Sequence, residues 1–210
     1  RHAFRTFARN KTFTAGAVMT LALAIGANTA VFSLIDSVML RQLPVERPEE
    51  LVEVMLQRPG SEPGNGFTNV LWEAVRDRQD VFSGVFVWSV PQPFAFGDGN
   101  VRRQVVGMAI SGDYFPTLGV RAAVGRLIST RDDYLGCPAI AMLGYDFWQT
   151  QFGGGAVVGR AITLHRQPFE IVGVVAPHFH GLEVGRTFDV AIPLCASAPF
   201  DRRNLDSTRR

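Results

Sequence analysis

The sequence predicts an α+β protein: an N-terminal transmembrane helix followed by a mixed α+β extracytoplasmic core domain, with room for two lobes. Three observations carry that reading. The run from Phe13 to Leu40 is apolar, holds no basic residue and has Asp36 as its sole acid. Beyond it, runs of β-forming residues alternate with helical spacings and with Gly- or Pro-rich turns. The 210 residues suit one membrane segment and one domain of ordinary size, and are too few for a whole polytopic transporter.

As a helix rising about 1.5 Å per residue, the apolar run is roughly 40 Å long, enough to cross a hydrocarbon core of about 30 Å. Arg1, Arg5, Arg9 and Lys11 precede Asp36, the first acid, leaving 17 of the 21 basic residues against 19 acidic ones. Cations ahead of the span favour a cytoplasmic N-terminus. The near-neutral remainder removes the electrostatic case for nucleic acid as a partner. Residues 1–11 read as an interfacial amphipathic segment, with Ala3, Phe4, Phe7 and Ala8 on one side and the arginines on the other. Residues 12–40 read as the span, in contact with membrane lipid, and residues 41–210 as the core domain, incomplete at its polar end from Ala196 to Arg210. A cleaved signal peptide is the rival reading; apolar character that resumes at Val31 to Ile35 and Val38 to Leu40 argues against it.

At about 100° per residue, Ala22, Gly26, Thr29, Ala30, Ser33 and Asp36 fall within an arc of about 120°. Val31, Ile35, Leu21, Met39 and Phe32 lie mostly opposite. The small-and-polar stripe is suited to packing on another helix, and the bulky side to lipid. Asn28, on the bulky side, reads as bonding a neighbouring helix, and Asp36 as wet or capping.

A connector, Val45 to Glu50, leads to an alternating run, Leu51 to Gln57, that reads as a strand, and then to a loop, Arg58 to Gly66. Thr68 or Asn69 caps a helix reaching about Asp80. Phe82 to Val90 and Phe94 to Phe96 read as strands, and the turn Gly97 to Asn100 makes a hairpin with Val101 to Ile110. A short helical or turn segment, Gly112 to Gly119, precedes Arg121 to Ile128. Ala139 to Leu143 reads as a buried strand and Tyr145 to Phe152 as a helix anchored by Phe147, Trp148 and Phe152. Ala161 to Leu164, a turn at His165 to Pro168 and Phe169 to Val175 form a hairpin, and Val190 to Leu194 adds an edge strand. Helices packed on sheets paired mainly at short range are expected.

No G-x-x-x-x-G-K-[ST] occurs, and Gly153-Gly154-Gly155 lacks the lysine and hydroxyl of a phosphate cradle, so it reads as a turn. ATP, if used, is bound by another chain, and no cofactor or metal is assigned to this one. His178 and His180 with Glu183 or Asp189 have the chemistry of a zinc or copper site, but two histidines in a glycine-flanked loop favour a plain surface loop. Asp132-Asp133 reads as a solvated turn or helix start rather than a carboxylate pair. No G-x-S-x-G nucleophile motif is present. Cys137 and Cys195 are two thiols in a domain expected to face an oxidising compartment, where a disulfide is chemically permitted. Trp72, Trp88 and Trp148 are expected in the core.

Four ordered blocks carry a resemblance: TLALAIGANTAVFSLIDSVMLRQLP (Thr20 to Pro44), GDYFPTLGVRAAVGR (Gly112 to Arg126), GYDFWQTQFGG (Gly144 to Gly154) and VVGRAITLHRQPFEIVGVV (Val157 to Val175). Together they resemble the macrolide-exporter-type ABC permeases, the MacB/FtsX-like family, and especially its duplicated orphan-permease branch. The resemblance implies a noncatalytic subunit in the bacterial inner membrane, for export or mechanotransmission. Its implied partners are a cytoplasmic ABC ATPase and either a second copy or a second permease half. Further membrane helices follow the core domain in that family. An anchored extracytoplasmic interaction module without transport is the alternative, and the resemblance leaves the cargo open.

Overall fold

A single α-helix, α1, spans Lys11–Ile35 in the computed structural model of the chain, which describes residues 11–35, 45–57, 59–60, 62–64, 66–97, 103–134, 136–183 and 185–197. The chain divides into two compact units, Arg1–Leu43 and Pro44–Arg210. Within α1 the stretch Lys11–Ser33 is 23 residues of apolar helix, about 35 Å long and so able to cross a bilayer. The hydroxyl of Thr20 donates to the Gly16 carbonyl at 2.9 Å, which satisfies a polar group inside the helix itself. The sequence extends the span to Leu40; residues 36–40, like the amphipathic segment 1–10, lie outside the described residues.

The second unit contains β1 (Gln92–Phe96), β2 (Arg103–Ile110), β3 (Ala122–Gly125), β4 (Ile140–Leu143), β5 (Ala161–Leu164), β6 (Gln167–Val175) and β7 (Val190–Pro193), with helices α2 (Asn69–Arg78), α3 (Tyr114–Leu118) and α4 (Tyr145–Phe152). One sheet runs in the order β3-β6-β4-β7-β2-β1-β5, and β5 also pairs with β6, closing six strands into a ring. The first half of β6 bonds β5 and its last residues bond β3. Between β1 and β5 the closure is narrow: Phe96 opposite Leu164, flanked by His165 N–H donating to the Ala95 carbonyl at 2.8 Å and Gly97 N–H to the Thr163 carbonyl at 3.0 Å.

Period-two alternation sorts the apolar side chains into two cores. All six ring strands contribute to the inner one: Phe94, Val105, Ala109, Ala141, Leu143, Ile162, Leu164, Phe169, Ile171, Val190 and Ile192 are buried there, with Phe147 and Trp148 of α4. The intervening residues Met108, Ile110, Ile140, Met142, Val172 and Ala191 face an outer core with Tyr114, Phe115 and Leu118 of α3. A register shift where Ala141 faces Ile171 but Met142 faces Gly173 is a bulge that lets β6 keep apolar side chains on both faces. Gly107, on β2, leaves space for the Phe94 ring; a Cβ there would stand 2.1 Å from it.

Several sequence expectations match this architecture. Thr68 caps α2, its hydroxyl accepting from Leu71 N–H at 3.3 Å. Helix α4 has the expected bounds and ends where Gly153 takes φ 58°. The β5–β6 turn is tighter than expected, only His165 and Arg166, both with positive φ (48° and 71°), the geometry of a two-residue hairpin.

Four expectations are corrected. Leu51 to Gln57 forms no ladder, only an isolated bridge between Leu56 and Gly64. Phe82 to Val90 follows β2 without becoming a strand, because serine hydroxyls take the place of carbonyls. Val87 N–H donates to Ser111 Oγ at 3.0 Å and Ala109 N–H to Ser89 Oγ at 2.9 Å, so a single bridge, Trp88 to Ile110, remains. β7 is central rather than an edge, parallel to β2 and antiparallel to β4. Every residue of it is buried, as a strand covered on both faces requires. Pairing is accordingly long-range, with Gly107 opposite Val190.

Asp132 is the fourth correction. It closes the 3-10 turn Thr130–Asp132, and its side chain is 7% exposed and bonded rather than solvated. Arg126 donates to both its oxygens at 2.7 and 2.9 Å, and Ser129 N–H and Oγ reach Oδ2 at 2.9 and 3.1 Å. Burial alone would raise its pKa; the Arg126 and Ser129 bonds outweigh that and hold it below the ordinary 3.8. Cys137 and Cys195 form a disulfide, Cα atoms 6.2 Å apart and 58 residues apart in sequence, which ties the approach to β4 to the turn after β7.

Two measurements follow on urea unfolding of the second unit. Because the native pKa of Asp132 is depressed, its stabilisation is present above the unfolded value and is lost as pH falls through the native one. Asp132→Asn should therefore cost about 2 kcal/mol at pH 7, and the gap to wild type should narrow below the ordinary 3.8; equal stabilities at pH 7 would contradict the pairing. Replacing both cysteines by serine should lower stability by up to about 4 kcal/mol, the chain-entropy value for a loop of this length, with reductant having the same effect on wild type.

Candidate functional site

The helix stripe and the two-faced domain are the features to which a role can attach. Ala22, Gly26, Thr29, Ala30 and Ser33 lie on α1 and are exposed, and a Cβ placed on Gly26 would meet nothing within 4 Å. The bulky residues are exposed as well, Leu21 at 63%, Val31 at 57% and Phe32 at 64%. An exposed, mainly apolar helix of this length suits lipid or another helix as its surroundings. Asp36, the sixth residue of the stripe, lies outside the described residues.

In the second unit the polar candidates are separated. Asp189 is a staple: its N–H donates to the Val106 carbonyl at 2.7 Å, its Oδ2 accepts from Val106 N–H at 2.8 Å, and its carbonyl accepts from Gly144 N–H at 2.8 Å. It thereby joins the start of β7 to β2 and to the end of β4. Glu183 pairs with Arg186 at 3.0 Å. His180 Nδ1 stands 3.7 Å from Asp146 Oδ2, while His178 occupies a turn with φ 72°. Among the described residues no three His, Cys, Asp or Glu side chains gather as metal ligands would. Asp133 diverges from Asp132, its Oδ2 accepting from Gly112 N–H at 2.9 Å. The Gly153–Gly155 triplet closes α4 and receives the Trp148 indole N–H on the Gly155 carbonyl at 2.9 Å.

Trp72 and Trp148 are buried, and Trp88 packs with Phe86 and Tyr114 at centroid distances of 5.7 and 6.3 Å. Tyr114 is fully enclosed, and its hydroxyl lacks a hydrogen-bond partner among the described residues; burial, with the Glu183 charge adding to it, pushes its pKa well above the ordinary 10. Asp113 is likewise raised, by burial first, opposed by Arg76 and reinforced by Asp133. Two features escaped sequence reasoning. Arg103 stacks over Phe96 at 4.8 Å and Phe147 at 5.7 Å, and Arg160 over Phe152 at 5.5 Å. Arg103 stands opposite Phe96 across the β1–β2 pair and also reaches Phe147 of α4, while Arg160, just ahead of β5, reaches Phe152 at the end of α4.

Two shallow depressions open on the second unit. One is bordered by Pro93, Gln104, Val106, Arg186 and Thr187, with a hydroxyl but no base. The other is bordered by Arg126, Pro138, Val158 and Glu170, with a carboxylate but no nucleophile.

Residues 14–209 match the family described as the MacB-like periplasmic core domain. None of the curated proteins matches the chain. Among solved structures, the periplasmic region of MacB from Actinobacillus actinomycetemcomitans aligns with a TM-score of 0.52 at 16% identity, over 65% of this chain and 61% of that one. The extracellular domain of the noncanonic ABC-type transporter YknZ from Gram-positive bacteria aligns with a TM-score of 0.50 at 16% identity, over 64% of this chain and 66% of that one. The chain thus spans just under two thirds of each, and at that identity the likeness is one of fold. With the match running from the apolar helix through the sheet and its staples, the chain belongs to the family of the MacB-like periplasmic core domain.

Proposed function

We propose that the chain is part of a noncatalytic permease subunit of an ABC-type transporter. In this reading α1 lies in the inner membrane with its N-terminus in the cytoplasm, and the second unit works on the far side. A separate cytoplasmic ATPase supplies the energy, and a second copy or a second permease half completes the assembly. The observation that carries the reading is the family match over residues 14–209, which takes in the uncovered apolar helix as well as the domain. The stripe from Ala22 to Ser33 supports a helix partner, because small residues let two backbones approach closely. The disulfide supports an oxidising compartment for the second unit.

Purification of the full reading frame from membranes tests the reading. A co-purifying ATPase whose hydrolysis depends on the permease supports it. A membrane-inserted protein that brings down no ATPase would instead be an anchored interaction module.

The membrane assignment has its own check. Leu23→Asp with Ile25→Asp places two carboxylates near the middle of the span, each costing about 2.5 to 3.5 kcal/mol. Most of the protein should leave the carbonate-resistant membrane fraction. Val81→Asp alters an equally exposed apolar residue of the second unit, 81% against 75% for Leu23, and should leave fractionation unchanged.

A further inference from the structure

Val45–Leu51 joins the membrane segment to the core domain in sequence, yet it is fastened where a connector would be free. Glu46 N–H donates to the Leu118 carbonyl at 3.0 Å. Val45 and Leu51 pack, partly buried, against the outer core. Between them Arg47, at φ 52°, turns the chain into a 3-10 turn, Pro48–Glu50, closed by Glu50 N–H on the Arg47 carbonyl at 3.1 Å and Leu51 N–H on the Pro48 carbonyl at 3.3 Å.

The receiving residue is Gly119, the C-cap of α3. It has two separate reasons to be glycine. Its φ of 66° is left-handed, a conformation that strains residues carrying a Cβ. A Cβ there would also lie 2.5 Å from Glu46 Cγ and Cδ and 2.8 Å from Glu46 Cβ. Rotation about the side-chain bonds can carry Cγ and Cδ away, but not Cβ. Any side chain at 119 therefore requires the connector backbone to move.

We propose that residues 45–51 are a strap that docks on α3, with Gly119 as the seat of Glu46. Displacement arriving along the chain from α1 is then passed into α3 and the outer core instead of being absorbed in a loose linker. What the strap transmits rests on the permease reading; the strap itself is tested without it.

The experiment is hydrogen exchange on the full-length protein in lipid nanodiscs, followed in peptides covering residues 45–51 and 114–119. The Glu46 amide should exchange at least about tenfold slower than its unfolded-peptide rate. Gly119→Ala should abolish that protection, and adding Glu46→Gly, which removes the colliding atoms, should return it. An unprotected wild-type strap, or a Gly119→Ala strap as protected as wild type, overturns the proposal. With the co-purified ATPase and Mg·ATP, exchange at 114–119 should change in wild type but not in Gly119→Ala. Equal responses in both overturn the relay and leave the permease reading standing. No response in a wild type whose strap is protected overturns both.

Discussion

The second unit depends on one constraint: four strands, β2, β4, β6 and β7, are covered on both faces and must carry apolar side chains at successive positions. Alternation then divides those side chains between an inner and an outer core. Helices α3 and α4 are placed by it, since Tyr114, Phe115 and Leu118 can only join the outer core, and Phe147 and Trp148 the inner. The β6 bulge is placed by it too, because a strand with an extra residue would otherwise turn one of its faces the wrong way. Asp189, at the start of β7, and Asp132, under Arg126, are each held by several bonds, whereas the enclosed Tyr114 hydroxyl has no partner among the described residues.

What could be read from the sequence was local. Tyr145 to Phe152 carries its own stop signal in Gly153, and Ala161 to Val175 folds back within a few residues, so both were legible. The central place of Val190 to Pro193 was not. Its partner on β2 is Gly107, and nothing near either residue names the other. The misreading of Phe82 to Val90 has a different cause: β propensity was present, but Ser89 and Ser111 offered hydroxyls that compete with the ladder. Asp132 looked like a turn residue because its neighbours are polar; only the approach of Arg126 across the turn makes it buried. For the candidate site, the helical stripe was visible as a pattern, whereas the seating of Glu46 on Gly119 needs coordinates, since it joins positions 73 residues apart in sequence.

The two units meet opposite physical demands. On α1 the large apolar residues face outward, with Leu23 at 75% and Met19 at 70% exposure, which suits a surrounding of hydrocarbon. In the second unit the strands and helices enclose most residues of these types, although Val52, Met55 and Val81 stay exposed, and the surface holds exposed ion pairs such as Arg47–Glu50 at 3.0 Å, worth little energetically. A transporter subunit of the proposed kind needs both: one part soluble in lipid, the other stiff enough in water to act as a lever.

The insertion of β7 between β2 and β4 also sets an order of events. In a chain delivered N-terminus first, β2 and β4 emerge long before the strand that separates them, and the sheet holds a gap until Pro193 has followed. Parallel pairing across so long a separation is slow to form. The sheet is therefore expected to close late, once β7 is in place. Cys195, two residues beyond β7, is bonded to Cys137 ahead of β4, so the disulfide acts as a latch that holds the inserted strand in place.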